Sequence, residues 1–446
     1  MATTILSRTM GTPTLGTKFT YSVWVKREGF AVSSGGARTI ASMWQDGNNH
    51  IVLRFDAQDN LSFYVYNGGS FPLELETNDE FRDNGAWYHI VAKVDTTQAT
   101  SSDRCKLYVN GVEQTSLSTA TYPSQDATFN ANANGNTSYI GGRGDSSAYS
   151  DGCMAHVHFT DGYAYDASTF GQTDATTGIW KPTTGPSVTY GTNGFFLKFA
   201  NSASLGTDSS GNTNTFTKSG GGLQTKDTPS NNMAVINFAI PTVSQNCTVT
   251  NGGTTINSTS GAHRNSPATI ALALNNGKFY WEMKVETMTT HVKTGVGFTE
   301  WDKYTYLNQG SEFSGDALGY AYRNDGQKEN NGISSYGNSY TVGDIIGVAF
   351  DTVNRKLYFA KNGTWQDSGD PTSGASGTGA AFTVTDNNVY YPVVNLYEAK
   401  VSYNFGAGYF GTSAIASEGT NASAVGKFEY DVPTGYTAVS TKGLNL

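Results

Sequence analysis

Apolar residues in this chain fall in short alternating runs separated by polar turns, and nowhere do they repeat at helical spacing over a long stretch. The clearest run is Ile345–Phe350. Ile345, Gly347 and Ala349 alternate with Ile346, Val348 and Phe350, so both sides are apolar and a strand buried between two layers is predicted. The polar stretch Asp351–Asn354 follows as a turn. Lys356, Tyr358 and Ala360 then alternate with Leu357 and Phe359, the pattern of a strand with one wet face. Asn362-Gly363 predicts a tight hairpin, because both residues tolerate positive φ, and Trp365 begins the return strand. The same device occurs earlier. Tyr88, Ile90, Ala92 and Val94 share one alternation, a polar turn follows, and Lys106–Val112 carries its own Asn110-Gly111 turn. The copies lie about 250 residues apart, more than the ~100–200 residues of one domain, so two domains of one architectural type are expected.

Other strands are predicted around 19–26, 39–44, 50–55 and 61–66, with Asp46-Gly47 and Asp59-Asn60 as turns, a meander suited to one layer of a sandwich. Residues 1–16 read as an edge strand or an arm, Tyr122–Thr137 as a surface loop, and Tyr165–Phe170 as a short helical turn. Residues 205–232 hold three consecutive glycines, Pro229 and few apolar side chains. The expected organisation is a sandwich over 1–204, a linker over 205–233, a second sandwich over 234–406 and a C-terminal extension over 407–446. In that extension, 407–426 shows little core potential, whereas Phe428–Leu446 regains aromatics and is expected to be ordered. The fold class is all-β: two tandem antiparallel β-sandwiches.

Composition narrows the function. Only 15% of residues are charged, against roughly 25% in an average soluble domain, as befits short strands with tight turns. A net charge of −9 argues against nucleic acid as partner, since phosphate contacts need a basic face. Three scattered cysteines with no CxxC predict reduced thiols formed in a cytoplasm. The N-terminus lacks a signal-peptide pattern, and no apolar run reaches the ~18 residues that cross a bilayer, so membrane insertion is not expected.

Candidate chemistry is sparse. His156 and His158 alternate, so both point to one face, but a zinc site needs three or four ligands and a polar outer face opposite Val157 and Phe159 is the better reading. Neither G-x-S-x-G nor H-E-x-x-H is present. The tetrapeptide Arg143–Ser146 matches an integrin-binding sequence and reads as coincidence. Trp301, Tyr304 and Tyr306 follow a strand and fall on an expected loop, and Tyr322 and Tyr336 flank the polar stretch 323–331. Such rings either stack on the apolar faces of sugars or fill the sandwich, and the sequence leaves both open.

Six segments in order, GKFYWEMKV (277–285), KTGVGF (293–298), GDIIGVAFD (343–351), KLYFAKNGTW (356–365), YYPVVNL (390–396) and VSYNFG (401–406), together resemble a SPRY (B30.2-type) domain. That resemblance implies a sandwich that binds partners through its loops. FTYSVWVKRE (19–28), WYHIVAKVD (87–95), KLYVNGV (106–112), YIGGRG (139–144) and DGCMAHVHFTDG (151–162) resemble a concanavalin A-like jelly roll of LamG type. Such jelly rolls often hold calcium, which here implies Asp145 and Asp151 as ligands. They also include glucanases, whose strand carries two catalytic carboxylates with an Asp between them. Glu282-x-x-x-Glu286 places Lys284 where the Asp belongs, and Glu74-x-Glu76 is too short and reads as loop, so no enzyme is expected.

The runs TGIWKPTT (177–184), YGTNGFFLKFANSASLGTDSSGNTNTF (190–216) and DTPSNN (227–232) resemble bacteriophage virion proteins, many from marine phages, that join these two domains. The resemblance implies a capsid decoration or fibre component, made in the host cytoplasm and assembled on the particle. It would adhere to host-surface glycan or to other virion proteins, as a homo-oligomer, a trimer being the expectation. The alternatives are a virion-associated polysaccharide-degrading enzyme of glucanase type and a lectin-like module of a cell.

Overall fold

The computed structural model describes residues 4–30, 36–240, 247–259, 261–298, 313–315 and 319–445. Contacts divide the chain into two units, Met1–Gln224 and Thr225–Leu446. No described helix is long and apolar enough to cross a membrane.

Alternation builds the first unit. Phe19, Tyr21, Val23 and Val25 point to one side of the strand Lys18–Lys26 and meet Ile51, Leu53, Phe55, Phe63 and Val65 in one buried cluster. Two antiparallel sheets enclose that cluster. The eight-stranded one runs, in spatial order, Leu117–Thr121, Ser70–Glu80, Asn60–Asn67, Asn49–Phe55, Arg38–Asp46, Thr137–Ile140, Ile5–Thr9 and Thr217–Ser219. The six-stranded one runs Phe195–Leu197, Cys153–Asp161, Lys18–Lys26, Trp87–Asp95, Cys105–Val109 and Val112–Glu113. Of the meander expected over 19–66, the strands at 39–44, 50–55 and 61–66 are consecutive in the first sheet, whereas Lys18–Lys26 belongs to the six-stranded sheet; residues 5–9 form a strand near the first sheet's edge.

The second face of the six-stranded sheet is also buried. Residues 163–190 cover it: the short helix Ala167–Phe170 packs on Val91 and Tyr108. Trp180 Nε1 donates to His89 Nδ1 at 3.0 Å, and His89 lies stacked on Trp24 with ring centroids 4.8 Å apart. The stretch 205–233 is shared out. Phe216 is buried in the first unit's core and Thr217–Ser219 pairs with Ile5–Ser7. From Thr225 the chain belongs to the second unit, where Lys226 N–H donates to Ala407 C=O at 3.0 Å.

In the second unit, Lys278–Gly297 and Tyr391–Asn404 pair along most of their lengths. Irregularities at Val285/Thr287 and Met288/His291 bend them, so that Lys278–Lys284 pairs with Ile345–Asp351 while Lys293–Gly297 pairs with Gly319–Arg323. The two halves face one another: Tyr403, register partner of Met283, meets the Thr294 hydroxyl at 2.9 Å, and the Tyr322 and Phe359 rings lie 5.4 Å apart. Phe279, Trp281, Met283 and Val285 are completely buried on the inner side.

Ile345–Asp351 is buried on both sides, as its pattern predicts. The outer cover is the end of the chain. Val425, Phe428, Val432, Tyr436 and Ala438 form a cluster with Tyr280, Ala349 and Tyr358. Tyr409, Phe410 and Ile415 are buried as well, so 407–426 contributes core that its small-residue composition conceals.

Candidate functional site

The five aromatic candidates separate. Trp301, Tyr304 and Tyr306 lie outside the described residues. Tyr322 is 0% exposed, with Tyr336, Tyr340 and Phe359 packed around its ring and its hydroxyl donating to Asn338 C=O. It fills the sandwich, which corrects its assignment as a ligand-stacking ring. Tyr336 is half-buried; its hydroxyl accepts the Phe359 N–H at 3.3 Å, and Lys328 Nζ stands 5.5 Å from its ring centre. Burial raises both phenols above the usual tyrosine range.

The carboxylates proposed for calcium are taken by arginines. Asp145 accepts Arg143 Nε at 3.0 Å and the Ser147 hydroxyl at 2.6 Å, and the guanidinium holds its pKa down at about 2. Asp151 accepts Arg38 Nε at 2.6 Å; burial raises its pKa against the pull of that cation. Among the described residues no group of three or more His, Cys, Asp or Glu is placed to hold a metal ion. This donor set does not fit calcium, because the lone pairs a hard cation needs already accept from cationic N–H groups.

His156 and His158 do not form a polar outer face. The strand slips register between Ala155 and His158, and His156 has φ of +47°. Both rings stack on Phe196, His158 at 3.8 Å, and His158 Nδ1 shares a hydrogen bond with the Tyr190 hydroxyl. Burial keeps both imidazoles neutral, with their pKa values lowered.

Glu282 is completely buried beneath the C-terminal segment. Oε1 accepts the Tyr280 hydroxyl and the Tyr430 N–H at 3.2 and 2.9 Å; Oε2 accepts Asn404 Nδ2 and the Glu429 N–H at 3.1 and 3.0 Å. It anchors the chain's end to the sheet and has no access to a saccharide. Glu74 and Glu76, read from sequence as loop, lie on the strand Ser70–Glu80, and since Leu73 and Leu75 enter the core, both acids stand on its outer face.

That outer face brings aromatic and polar side chains together, with His50 and Tyr64 buried, Trp44 and Tyr66 half-buried and Phe71 exposed. Tyr66, His50 and Trp44 are register partners across three successive strands. Phe71 meets Tyr66 at 4.7 Å, Tyr66 meets His50 at 5.3 Å, and His50 stacks on Trp44 at 4.6 Å. Phe71 is 45% exposed. The 143–146 tetrapeptide walls one end. A Cβ on Gly144 would lie 2.2 Å from Trp44 Cγ, so only glycine permits the approach, and Arg143 stands 5.7 Å from the Trp44 ring centre. About four residues along the strands, roughly 13 Å from the ring row, Glu76, Ser62, Arg54 and Thr39 are successive register partners, with Ser62 and Thr39 fully buried. Arg54 covers the Tyr64 ring at 4.9 Å. Sequence reasoning passed over these residues because alternation marks them only as the outer side of a strand; ring-bearing outer positions on neighbouring strands were the available signal.

The fold is that of two β-sandwich units in one chain. Residues 7–168 match the family described as the concanavalin A-like lectin/glucanases superfamily, and residues 278–408 match the SPRY domain. The chain therefore carries a LamG/concanavalin A-like domain followed by a SPRY domain. Among solved structures, the SPRY domain of human HERC1 is 22% identical, with 35% of this chain and 91% of that chain covered and a TM-score of 0.28. A putative carbohydrate binding protein from Bacteroides ovatus is 18% identical, with 49% and 57% covered and a TM-score of 0.35. Domains LG4-5 of the mouse laminin alpha1 chain are 10% identical, with 90% and 84% covered and a TM-score of 0.31. No curated protein matches the sequence.

Proposed function

We propose that this protein is a non-enzymatic adhesive component of a bacteriophage particle, a capsid decoration or fibre protein that holds host-surface glycan or another virion protein. The observation that carries the adhesive reading is the aromatic row on the outer side of the first domain's eight-stranded sheet, exposed at Phe71. The particle assignment rests on the resemblance of 177–232 to phage virion proteins. A symmetric oligomer, a trimer in this reading, would present several copies of each face, and many weak contacts on one particle sum to strong attachment. Mass spectrometry of purified particles, with cryo-electron microscopy of the intact virion, tests this. The protein is expected at regular positions on the capsid, tail or fibres; its absence from purified particles overturns the assignment.

A polysaccharide-degrading enzyme is the second reading, and one observation favours it. Glu74 and Glu76 project from the same face, and burial together with the neighbouring Glu76 raises the Glu74 pKa against Arg54. Retaining hydrolysis needs carboxyls roughly 5–5.5 Å apart, one of them protonated. Release of reducing sugar that disappears in Glu74→Gln would establish it.

A further inference from the structure

We infer that Asn276 and Asn331 are sites of spontaneous covalent modification, at which the nitrogen of the following glycine closes on the side-chain amide and turns asparagine into aspartyl and isoaspartyl forms. The inference stands apart from the adhesive reading. It rests on a contrast among the chain's Asn-Gly steps.

A glycine after asparagine leaves the amide open to attack, because no Cβ crowds the approach of the backbone nitrogen. The sequence places Asn-Gly at 67–68, 84–85, 110–111, 134–135, 193–194, 251–252, 276–277, 331–332 and 362–363. Folding ties most of these down. Asn110 Oδ1 accepts the His89 N–H and Asn362 Oδ1 the Ile345 N–H, both at 2.8 Å. Asn67 Oδ1 accepts the Asn130 N–H at 2.9 Å, and Asn251 Nδ2 donates to Thr255 Oγ1 at 3.0 Å. Asn193 bonds Gly11 through both ends of its amide. In two further steps the glycine is engaged: the Gly85 N–H donates to Asp83 Oδ1 at 2.7 Å, and the Gly135 N–H to Met10 C=O at 2.9 Å.

At Asn276–Gly277 and Asn331–Gly332 neither the side-chain amide nor the glycine N–H makes a hydrogen bond among the described residues. Both asparagines are exposed. The backbone bonds there, from Asn276 N–H to Thr352 Oγ1 at 3.1 Å and from Asn331 N–H to Ser314 C=O at 2.8 Å, leave the reacting atoms unengaged. Those atoms are the glycine nitrogen and the asparagine Cγ. The nitrogen gives its proton to hydroxide and attacks Cγ. A C–N bond forms, the Cγ–Nδ2 bond breaks, and ammonia leaves with a proton from water, which restores the hydroxide. Water then opens either carbonyl of the cyclic imide, giving aspartate or isoaspartate. The balance is water consumed and ammonia released. Each event adds a carboxylate. An isoaspartyl link also lengthens the backbone by one carbon, and at 331 this falls in the loop that sets Glu329 opposite Ile333, on the outermost strands of the sheet.

Incubation of the full chain at pH 8, followed by proteolysis and mass spectrometry, is the test. Peptides carrying Asn276 and Asn331 are expected to gain about 1 Da and to split into aspartyl and isoaspartyl forms. Asn110 and Asn362 are expected to lose their amides about tenfold more slowly, because a side-chain bond must open first. In urea those bonds are gone, and all the Asn-Gly steps should react at similar rates. Either asparagine keeping its amide in the native chain as long as Asn110 and Asn362 do overturns the inference for that step. A selectivity that survives in urea overturns it for both, since flanking sequence rather than the fold would then set the rates.

Discussion

Asn362 closes a two-bond ring with Ile345. Its backbone N–H donates to the Ile345 C=O at 2.8 Å, and the Ile345 N–H donates to Asn362 Oδ1 at 2.8 Å. Asn110 and His89 repeat both bonds, at the same two distances, in the first domain. Each Asn thus extends its ladder by one rung while its positive φ, +48° and +50°, shapes the turn with the following glycine. Asn362→Gly keeps the turn and loses the side-chain bond, an expected cost of about 1 kcal/mol. Asn362→Ala loses both, about 2 kcal/mol or more. Chemical denaturation of the two variants checks the order; equal stabilities would show that the side-chain bond is the whole effect.

Glu282 sets a pH dependence. Burial pushes its carboxyl up to about 7 in the folded chain, outweighing the Glu429 and Tyr430 N–H groups that favour the charged form. The unfolded value is 4.5. Between the two the folded state keeps a proton that the unfolded state has released, so stability falls as pH rises and levels off above 7. At ~1.4 kcal/mol per pH unit, the fall is on the order of 3 kcal/mol. Urea unfolding at pH 5 and pH 8 measures it. Glu282→Gln is expected to flatten the difference, and to weaken the fold at pH 5, because an amide NH₂ then faces an N–H donor.

Asp59 holds a buried cation. It accepts Arg27 Nη2 at 2.8 Å and Arg82 Nε at 3.0 Å, and the Arg27 side chain is only 2% exposed. Asp59→Ala leaves that guanidinium buried without its carboxylate, at an expected cost of about 3–5 kcal/mol. Arg82→Ala removes a half-exposed partner and is expected to cost about 1 kcal/mol or less. Thermal unfolding of the pair of variants reads the contrast.

Thiol chemistry should be slow. Cys105 and Cys247 are buried, and burial raises both thiols, Cys247 to about 11. Cys153 is half-buried. Ellman's reagent is expected to titrate at most one thiol in the native protein and all three after denaturation. Rapid native reaction of two would contradict the burial.

Much of the fold was legible in the sequence. Alternation at 345–350 and the Asn-Gly turns at 110 and 362 give strands and hairpins where the structure has them, because local geometry alone fixes those signals. What escaped depends on which segment covers which face. His158 reads as an outer position, yet residues 163–190 bury it together with Trp24 and His89, and no local pattern announces that cover. Tyr322 sits beside a polar stretch and still fills the core, since a strand's two faces look alike in sequence when both carry tyrosine. Asp145 and Asp151 failed as ligands for a related reason: Arg143 lies two residues from one, but Arg38 lies far from the other in the chain.

The bent strands of the second domain have a mechanical consequence. Lys278–Gly297 and Tyr391–Asn404 are hydrogen-bonded to each other from Glu282/Asn404 to Gly297/Tyr391, and each contributes to both facing layers. A load drawn along either strand falls on this whole ladder at once, in shear, rather than on one rung at a time. Neither layer can peel away while the other stays folded, so under tension the domain should yield in a single step and stay rigid until it does.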